Sequence, residues 1–291
     1  MLHSFGRGND GSTPYAALIF DAAGNLYGTT DGGGARGSYG TVFELTHKAG
    51  GGWTEKVLHN FIAIRGDGAY PTGGLIFDAS GNLYGTTGGG GTSDDGTVFE
   101  LTPGAGGVWA ETVLYNFNVD GEDGNGPTGS LILDATGNLY GTTGAGGATG
   151  TGCGGNGCGT AFELTPTAGG GWTEKILHSF NDDGADGYFP SADLIFDPAG
   201  NLYGPTVYGG TGTCQFAHDV GCGVVFELTP EAGGNWTENV IRSFNGKNGY
   251  RPLGGLIPDA TGNLYGTTDW GGSSGTGCEG YGCGVVFEIT P

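Results

Sequence analysis

The sequence is short of positive charge, of methionine and of long apolar runs. Nine Lys and Arg stand against 30 Asp and Glu in 291 residues, giving a formal net charge of −21. Nothing resembles a basic stripe able to neutralise phosphates, so nucleic acid is excluded as a partner. No apolar stretch approaches the ~18 residues a bilayer-spanning helix needs, so no membrane span is expected. The opening Met-Leu-His-Ser-Phe lacks a basic region followed by a hydrophobic segment, so no signal peptide is read there. A His-Glu-x-x-His helix and a phosphate-binding loop are missing as well.

Glycine is abundant, with 69 copies, yet it shows no three-residue period, which excludes a collagen-like chain. The 15 Phe, 13 Tyr and 5 Trp, in a chain that is 36% hydrophobic, are enough to bury a sizeable core. Glycine-rich turns joining short aromatic and β-branched runs point to an all-β protein rather than to disorder.

An internal repeat decides the architecture. Asp-x-x-Gly-Asn-Leu-Tyr-Gly begins at Asp21, Asp78, Asp134, Asp197 and Asp259, with spacings of 57, 56, 63 and 62 residues. Each copy continues through a glycine-rich stretch to Phe-Glu-Leu-Thr or Phe-Glu-Ile-Thr, at Phe43, Phe99, Phe162, Phe226 and Phe287. A run centred on Trp53, Trp109, Trp172 or Trp236 follows and ends in a Leu-His-Ser-Phe-like tetrapeptide. In the first copy this reads as strand A over 17–20, B over 25–30, C over 41–46 and D over 53–61, each bounded by turn residues. Four-stranded units at this period are propeller blades. The fifth copy stops at Thr290-Pro291 without a strand D, whereas the chain opens with Leu2-His3-Ser4-Phe5, a strand-D ending. The expectation is one five-bladed β-propeller over 1–291, with blades at about 12–61, 69–117, 125–180, 188–244, and 250–291 plus 1–5. The N-terminal strand would pair with the last blade's strand C and cover its edge.

At Gly-Asn-Leu-Tyr-Gly-Thr-Thr, Gly-Thr-Val-Phe-Glu-Leu-Thr and Leu-His-Ser-Phe, the chain resembles the tandem-repeat family named for Gloeobacter and Verrucomicrobia (GloVer repeats). The resemblance runs over essentially the whole chain. It implies a bacterial protein, usually exported and often tied to the cell surface, and carries over no catalytic residue.

A residue present in every repeat most simply serves the repeat. The Asp-x-x-Gly-Asn phrase fits an A–B turn, where Asp and Asn bond nearby backbone and Gly takes positive φ. Glu44, Glu100, Glu163, Glu227 and Glu288, one per strand C, read as bonded within their own blades rather than as a catalytic or metal constellation. Pro14, Pro71, Pro127, Pro190 and Pro252 precede strand A and set its entry angle through a fixed φ. Asp10, Asp67, Asp123 and Asp186, with Asn248, read as turn residues before that motif.

Departures from the repeat are where function is sought, in the B–C and D–A loops that share one face of a propeller. The six cysteines form local pairs in three B–C loops: Cys153 with Cys158, Cys214 with Cys222, and Cys278 with Cys283. Disulfides are the preferred reading and imply an oxidising compartment. Zinc is the alternative, although the spacings are unlike tandem Cys-x₂₋₄-Cys ligand pairs. Asp193 replaces the small residue found before strand A in the other copies (Ala17, Gly74, Ser130, Gly255). Tyr70, Phe189, Tyr208, Phe216, Tyr250, Arg251, Trp270 and Tyr281 cluster in the loops, where exposed rings suit the C–H face of a pyranose or else pack between loops. Oxygen-rich D–A loops carry Asp120 and Glu122, and Asp183 and Asp186, as weak calcium candidates, against a plain acidic turn. His218 and Asp219 are neighbours between two cysteines, a weak signal for acid–base work.

No cofactor is required by these patterns, and the chain reads as a monomer. The leading functional reading is a secreted or surface-exposed binding module for a polysaccharide or oligosaccharide. Its ligand would be met by Asp193, Phe189, Tyr208, His218, Tyr250, Arg251, Trp270 and Tyr281. The alternative is a glycoside hydrolase or polysaccharide lyase using two carboxylates drawn from Asp193, Asp219, Asp183 and Glu279, about 5–9.5 Å apart. A structural or protein-interaction propeller is the third.

Overall fold

The computed structural model describes residues 1–6, 9–35, 37, 39–118, 123–147, 153–216, 219–273, 278 and 281–291, with only the backbone at 154, 215, 216 and 219. Among these residues the chain is all-β, with two short 3₁₀ turns, Ala105–Gly107 and Cys153–Gly155. It divides into two compact units. The first is Met1–Asn118 with Asn125–Leu139 and Leu164–Glu174, and the second is Val119–Gly124 with Tyr140–Glu163 and Lys175–Pro291.

In the first unit, Ile19–Phe20, Leu26–Thr30, Thr41–His47 and Trp53–Asn60 form one antiparallel sheet in the order A-B-C-D. The second repeat does the same with Ile76–Phe77, Leu83–Thr87, Thr97–Pro103 and Trp109–Asn116. In the second unit, the fourth repeat sheet is built from Ile195–Phe196, Leu202–Gly209, Val224–Pro230 and Trp236–Ser243, with Gly187–Pro190 added beside Leu202–Gly209. The strand limits follow the sequence reading within a residue or two, except that strand A is reduced to a two-residue ladder such as Ile19↔Tyr27 and Phe20↔Leu26.

The core is a Phe ladder. Strand C supplies Phe43, Phe99, Phe162 and Phe226, and the D-strand ends supply Phe61, Phe117, Phe180 and Phe244, all removed from water. Across neighbouring repeats the rings meet in pairs: Phe61 and Phe99 at 5.2 Å, Phe180 and Phe226 at 5.0 Å, Phe244 and Phe287 at 5.0 Å. The second glycine of Gly-Asn-Leu-Tyr-Gly is required by this packing. A Cβ at Gly28, Gly85 or Gly204 would stand 2.6–2.8 Å from the Cζ of the strand-C Phe.

The N-terminal segment differs from expectation. Residues 1–6 form no strand, and the fifth repeat sheet has three strands, Ile257–Pro258, Leu264–Thr268 and Val285–Ile289. A full strand D such as Trp53–Asn60 holds its partner through seven register pairs, and a five-residue remnant could supply only part of that ladder, leaving it with less to hold it in place. The remnant keeps only the side-chain role, Phe5 lying edge-on to Phe43 at 4.9 Å.

At the A–B turn each acid is consumed locally. Asp21 accepts from the backbone of Ala23 and Asn25 and from the Asn25 amide, and the Tyr27 hydroxyl reaches Glu44 at 2.9 Å. The pattern recurs at Asp78 with Asn82, and at Tyr84 with Glu100. It appears again at Asp197 with Asn201, Tyr203 with Glu227, Asp259 with Asn263, and Tyr265 with Glu288. Burial first, then the Glu44 carboxylate, pushes the Tyr27 phenol well above its ordinary range. The hydrogen bond to Glu288 carries Tyr265 up to about 12. The strand-C glutamates are therefore structural, as the repeat implied.

Three of the D strands, Trp53–Asn60, Trp109–Asn116 and Trp236–Ser243, also carry a β-bulge. The register with strand C slips between Val42 and Phe43, Val98 and Phe99, and Val225 and Phe226. The extra residue is Leu58 in the first repeat, since Val42 faces His59 while Phe43 faces Val57. A slip of one residue reverses which face the following side chains take.

Candidate functional site

The opposite end of the sheets is built by the D–A and B–C loops, which pair directly within a repeat. Gly11↔Gly33, Gly68↔Gly90, Gly187↔Gly209 and Tyr250↔Trp270 are such pairs. Ahead of each strand A, the residue before proline sits in the left-handed region. Thr13, Tyr70, Phe189 and Arg251 have φ of 58–59°, and Gly126 has 60°. For a bulky residue this costs about 1–3 kcal/mol and persists only where the surroundings over-determine it.

Two contacts do so. The proline of one repeat packs on a glycine of the preceding one: a Cβ at Gly40, Gly96, Gly159 or Gly223 would stand 2.6–2.8 Å from Cδ of Pro71, Pro127, Pro190 or Pro252. The strained residue's N–H is held by the carbonyl just before that glycine, Tyr70 to Tyr39 at 2.8 Å, Phe189 to Cys158 at 2.9 Å and Arg251 to Cys222 at 3.1 Å. Two of these carbonyls belong to cysteines. Cys153 is bridged to Cys158, Cys214 to Cys222 and Cys278 to Cys283, with Cα separations of 5.1–5.3 Å. The disulfides thus fix the loops that seat Phe189 and Arg251, and the zinc alternative for the cysteines falls.

In the second unit the seated side chains form a strip. Tyr188 lies 5.4 Å from Tyr208, and Phe189 lies 6.4 Å from the same ring. The Arg251 guanidinium stands 5.8 Å from Tyr208 and 4.6 Å over Trp270. Trp270 packs on Tyr250 at 5.4 Å and stacks on Tyr281 at 4.8 Å with planes 19° apart. Arg251 also faces Asp269 at 3.6 Å. Tyr188 and Tyr250 are buried, whereas Phe189 is 42% and Tyr281 43% exposed. Beside the strip a cavity of about 330 Å³ is lined by Cys153, Asn156, Cys158, Tyr188, Phe189 and Tyr208. A larger cavity of about 820 Å³ lies at the turn end, but its acids Asp197, Glu227 and Asp259 are the ones already held by the repeat.

Of the sequence candidates, the structure brings together Phe189, Tyr208, Tyr250, Arg251, Trp270 and Tyr281. Tyr70 is presented in the same way in the first unit, with Tyr39 at 5.8 Å. Asp193 is exposed at the start of strand A, beside Gly255 of the next repeat. Asp183 caps its own turn, accepting from the N–H groups of Ala185 and Asp186, which hold its carboxyl below the usual range. Asp219 pairs through its backbone with Phe216 in a short hairpin. His218, Glu279, Asp120 and Glu122 lie outside the described residues. The letters Gly-x-Ser-x-Gly at 271–275 belong to a segment with no α-helix after it among the described residues, unlike a nucleophile elbow.

Sequence reasoning missed one recurrent constellation. His3, Asp10 and Glu55 each place one ligand atom within 4.8 Å of the others, as do His59, Asp67 and Glu111, and His178, Asp186 and Glu238. The His–Asp distances are 2.9, 3.4 and 2.9 Å. The bulge assembles these groups. Without it, Glu55 and His59, four residues apart on one strand, would share a face; with it, Glu55 joins the preceding triad and His59 the following one. Burial raises Glu111 and Glu238 to about 7, helped by Asp67 and Asp186 and opposed by the histidines. The signal available in sequence was the His eight residues before the turn Asp in two repeats; the slip that brings in the Glu has no letter of its own.

No curated protein matches the sequence significantly. Among solved structures the chain is similar to a Thermus thermophilus protein described as an oxidoreductase (glucose dehydrogenase). That match has 18% identity and a TM-score of 0.46, over 97% of this chain and 98% of that one. It is also similar to a polysaccharide lyase, an ulvan lyase, at 10% identity and a TM-score of 0.49, over 86% of this chain and 65% of that one. An α-L-arabinofuranosidase from Clostridium thermocellum matches at 12% identity and a TM-score of 0.43, over 88% and 81%. Matches to the Gloeobacter/Verrucomicrobia repeat cover residues 1–154 and 153–291, and the chain belongs to that family.

Proposed function

We propose that the chain is a five-bladed β-propeller acting as an extracellular or cell-surface carbohydrate-binding module. The observation that carries the reading is the strip Tyr208, Arg251, Trp270 and Tyr281 beside the Tyr188–Phe189–Tyr208 cavity. Partly exposed aromatic rings cover the apolar face of a pyranose, and a guanidinium and a carboxylate beside them bond hydroxyls. A cavity of about 330 Å³ is within the range that holds a small ligand. The three disulfides support an oxidising, extracellular setting. They also pre-organise the loops that seat Phe189 and Arg251, lowering the ordering cost of binding.

A glycan array followed by calorimetry on the best polysaccharide tests the reading. Binding that weakens at least about tenfold in Trp270→Ala, with the fold retained, is the expected result. Binding to no glycan, or binding indifferent to both Trp270→Ala and Arg251→Ala, removes it.

A further inference from the structure

We propose that the three His–Asp–Glu triads are binding sites for a transition-type divalent cation of the zinc class, each tying one repeat to the next. Every triad takes its His and its turn Asp from one side of a repeat boundary and its Glu from the following strand D: His3, Asp10 and Glu55; His59, Asp67 and Glu111; His178, Asp186 and Glu238. One imidazole nitrogen and two carboxylate oxygens lie within 4.8 Å of one another in each. A zinc ion bound at about 2.0–2.2 Å sets tetrahedral donor atoms roughly 3.3 Å apart, so small side-chain rotations close the shell. The imidazole selects zinc-like ions over calcium, which takes an all-oxygen shell.

Two further observations point to a ligand. In Glu55, Glu111 and Glu238 the Oε1 atom is shut off from water and has no hydrogen-bond partner. A buried carboxylate oxygen without a donor is costly, and a cation removes that cost. At the second triad, a cavity of about 450 Å³ is lined by His59, Asp67 and Glu111 together with Ile62, Arg65 and Asn116. That opening provides an entry path and room for water to complete the coordination. The aspartates are pre-oriented: Asp186 accepts from Asn181 and Gly187, and Asp67 from the Ile62 N–H, as the outer contacts of metal ligands commonly do.

The test uses the untagged full chain, stripped with EDTA and moved into chelator-free buffer. Titration with ZnCl₂ by calorimetry, and metal analysis after desalting, should give up to three ions per chain, together with a raised melting temperature. CaCl₂ at the same concentration should give neither. His59→Gln and His178→Gln should each lose one ion, with the far-UV spectrum kept, and Glu111→Gln should match His59→Gln. Wild-type protein that retains no zinc overturns the proposal whatever the variants do. So does a stoichiometry unchanged in the His3→Gln/His59→Gln/His178→Gln variant.

Discussion

The two ends of each repeat sheet follow different rules. At the A–B turn, Asp, Asn, Tyr and Glu recur in every copy and bond one another, as in Asp21–Asn25 with Tyr27–Glu44. At the loop end the backbone recurs but the side chains do not: Thr13, Tyr70, Gly126, Phe189 and Arg251 occupy one conformation. Invariance at one end marks hydrogen-bond closure, and variation on a fixed backbone at the other is where the proposed binding surface lies. In a family whose glycines and acids dominate the eye, the conspicuous residues are the structural ones.

The contrast is sharpest between buried core and loop. Phe226 is fully buried between Gly204 and Phe180, so Phe226→Ala should cost about 3–5 kcal/mol in denaturant unfolding, while Phe189→Ala should stay near ±0.5 kcal/mol. Equal losses at both would erase the distinction between the two ends. Next in size is the Cys214–Cys222 bridge, which closes a separation of eight residues. Its removal by paired serine substitution should cost about 2.5 kcal/mol and should also weaken glycan binding, because Cys222 seats Arg251. Thermal melts with and without reductant would read the first effect. Trp270→Ala should lower affinity about tenfold, near 1.4 kcal/mol, measured at a temperature where the variant stays folded.

The smallest effect concerns the turn end and depends on pH. Burial pushes the Asp134 carboxyl up, but hydrogen bonds from the backbone and side chains of Asn138 and Thr136 outweigh it and hold the group below its ordinary 3.8. A depressed folded value means the stabilisation is present above 3.8 and is lost as pH falls through the folded value. Asp134→Asn should therefore cost about 1 kcal/mol at pH 7 and progressively less as the pH is taken below 3.8. A gap that persists in acid would show that geometry, not charge, makes the turn.

Much of this organisation was legible in the letters. Short aromatic and β-branched runs bounded by Gly, Asn, Asp and Pro located the B, C and D strands, because residue type and turn chemistry act within a few residues. The pairing of cysteines followed from their confinement to single loops. Three things were not legible. The bulge opposite Phe43 depends on how two strands pair, so Glu55 and His59 read as neighbours on one face. The left-handed Phe189 and Arg251 are written as ordinary residues before proline, a context that normally favours extended backbone; the glycine seat that enforces the turn lies in another repeat. The missing ladder at residues 1–6 reflects a balance of length that a matching tetrapeptide does not encode.

The seat beneath the residue before each proline has a consequence for how such chains diversify. Because proline, glycine and carbonyl fix the backbone, whatever residue is written at 70, 189 or 251 is delivered in the same posture. Binding preference can then drift by single-codon changes while folding stays insulated from them. Gly126 is a blank in that set, ready to accept a side chain at a cost of about 1–3 kcal/mol. On the proposed binding function, the repeat would work as a combinatorial display with one letter per module.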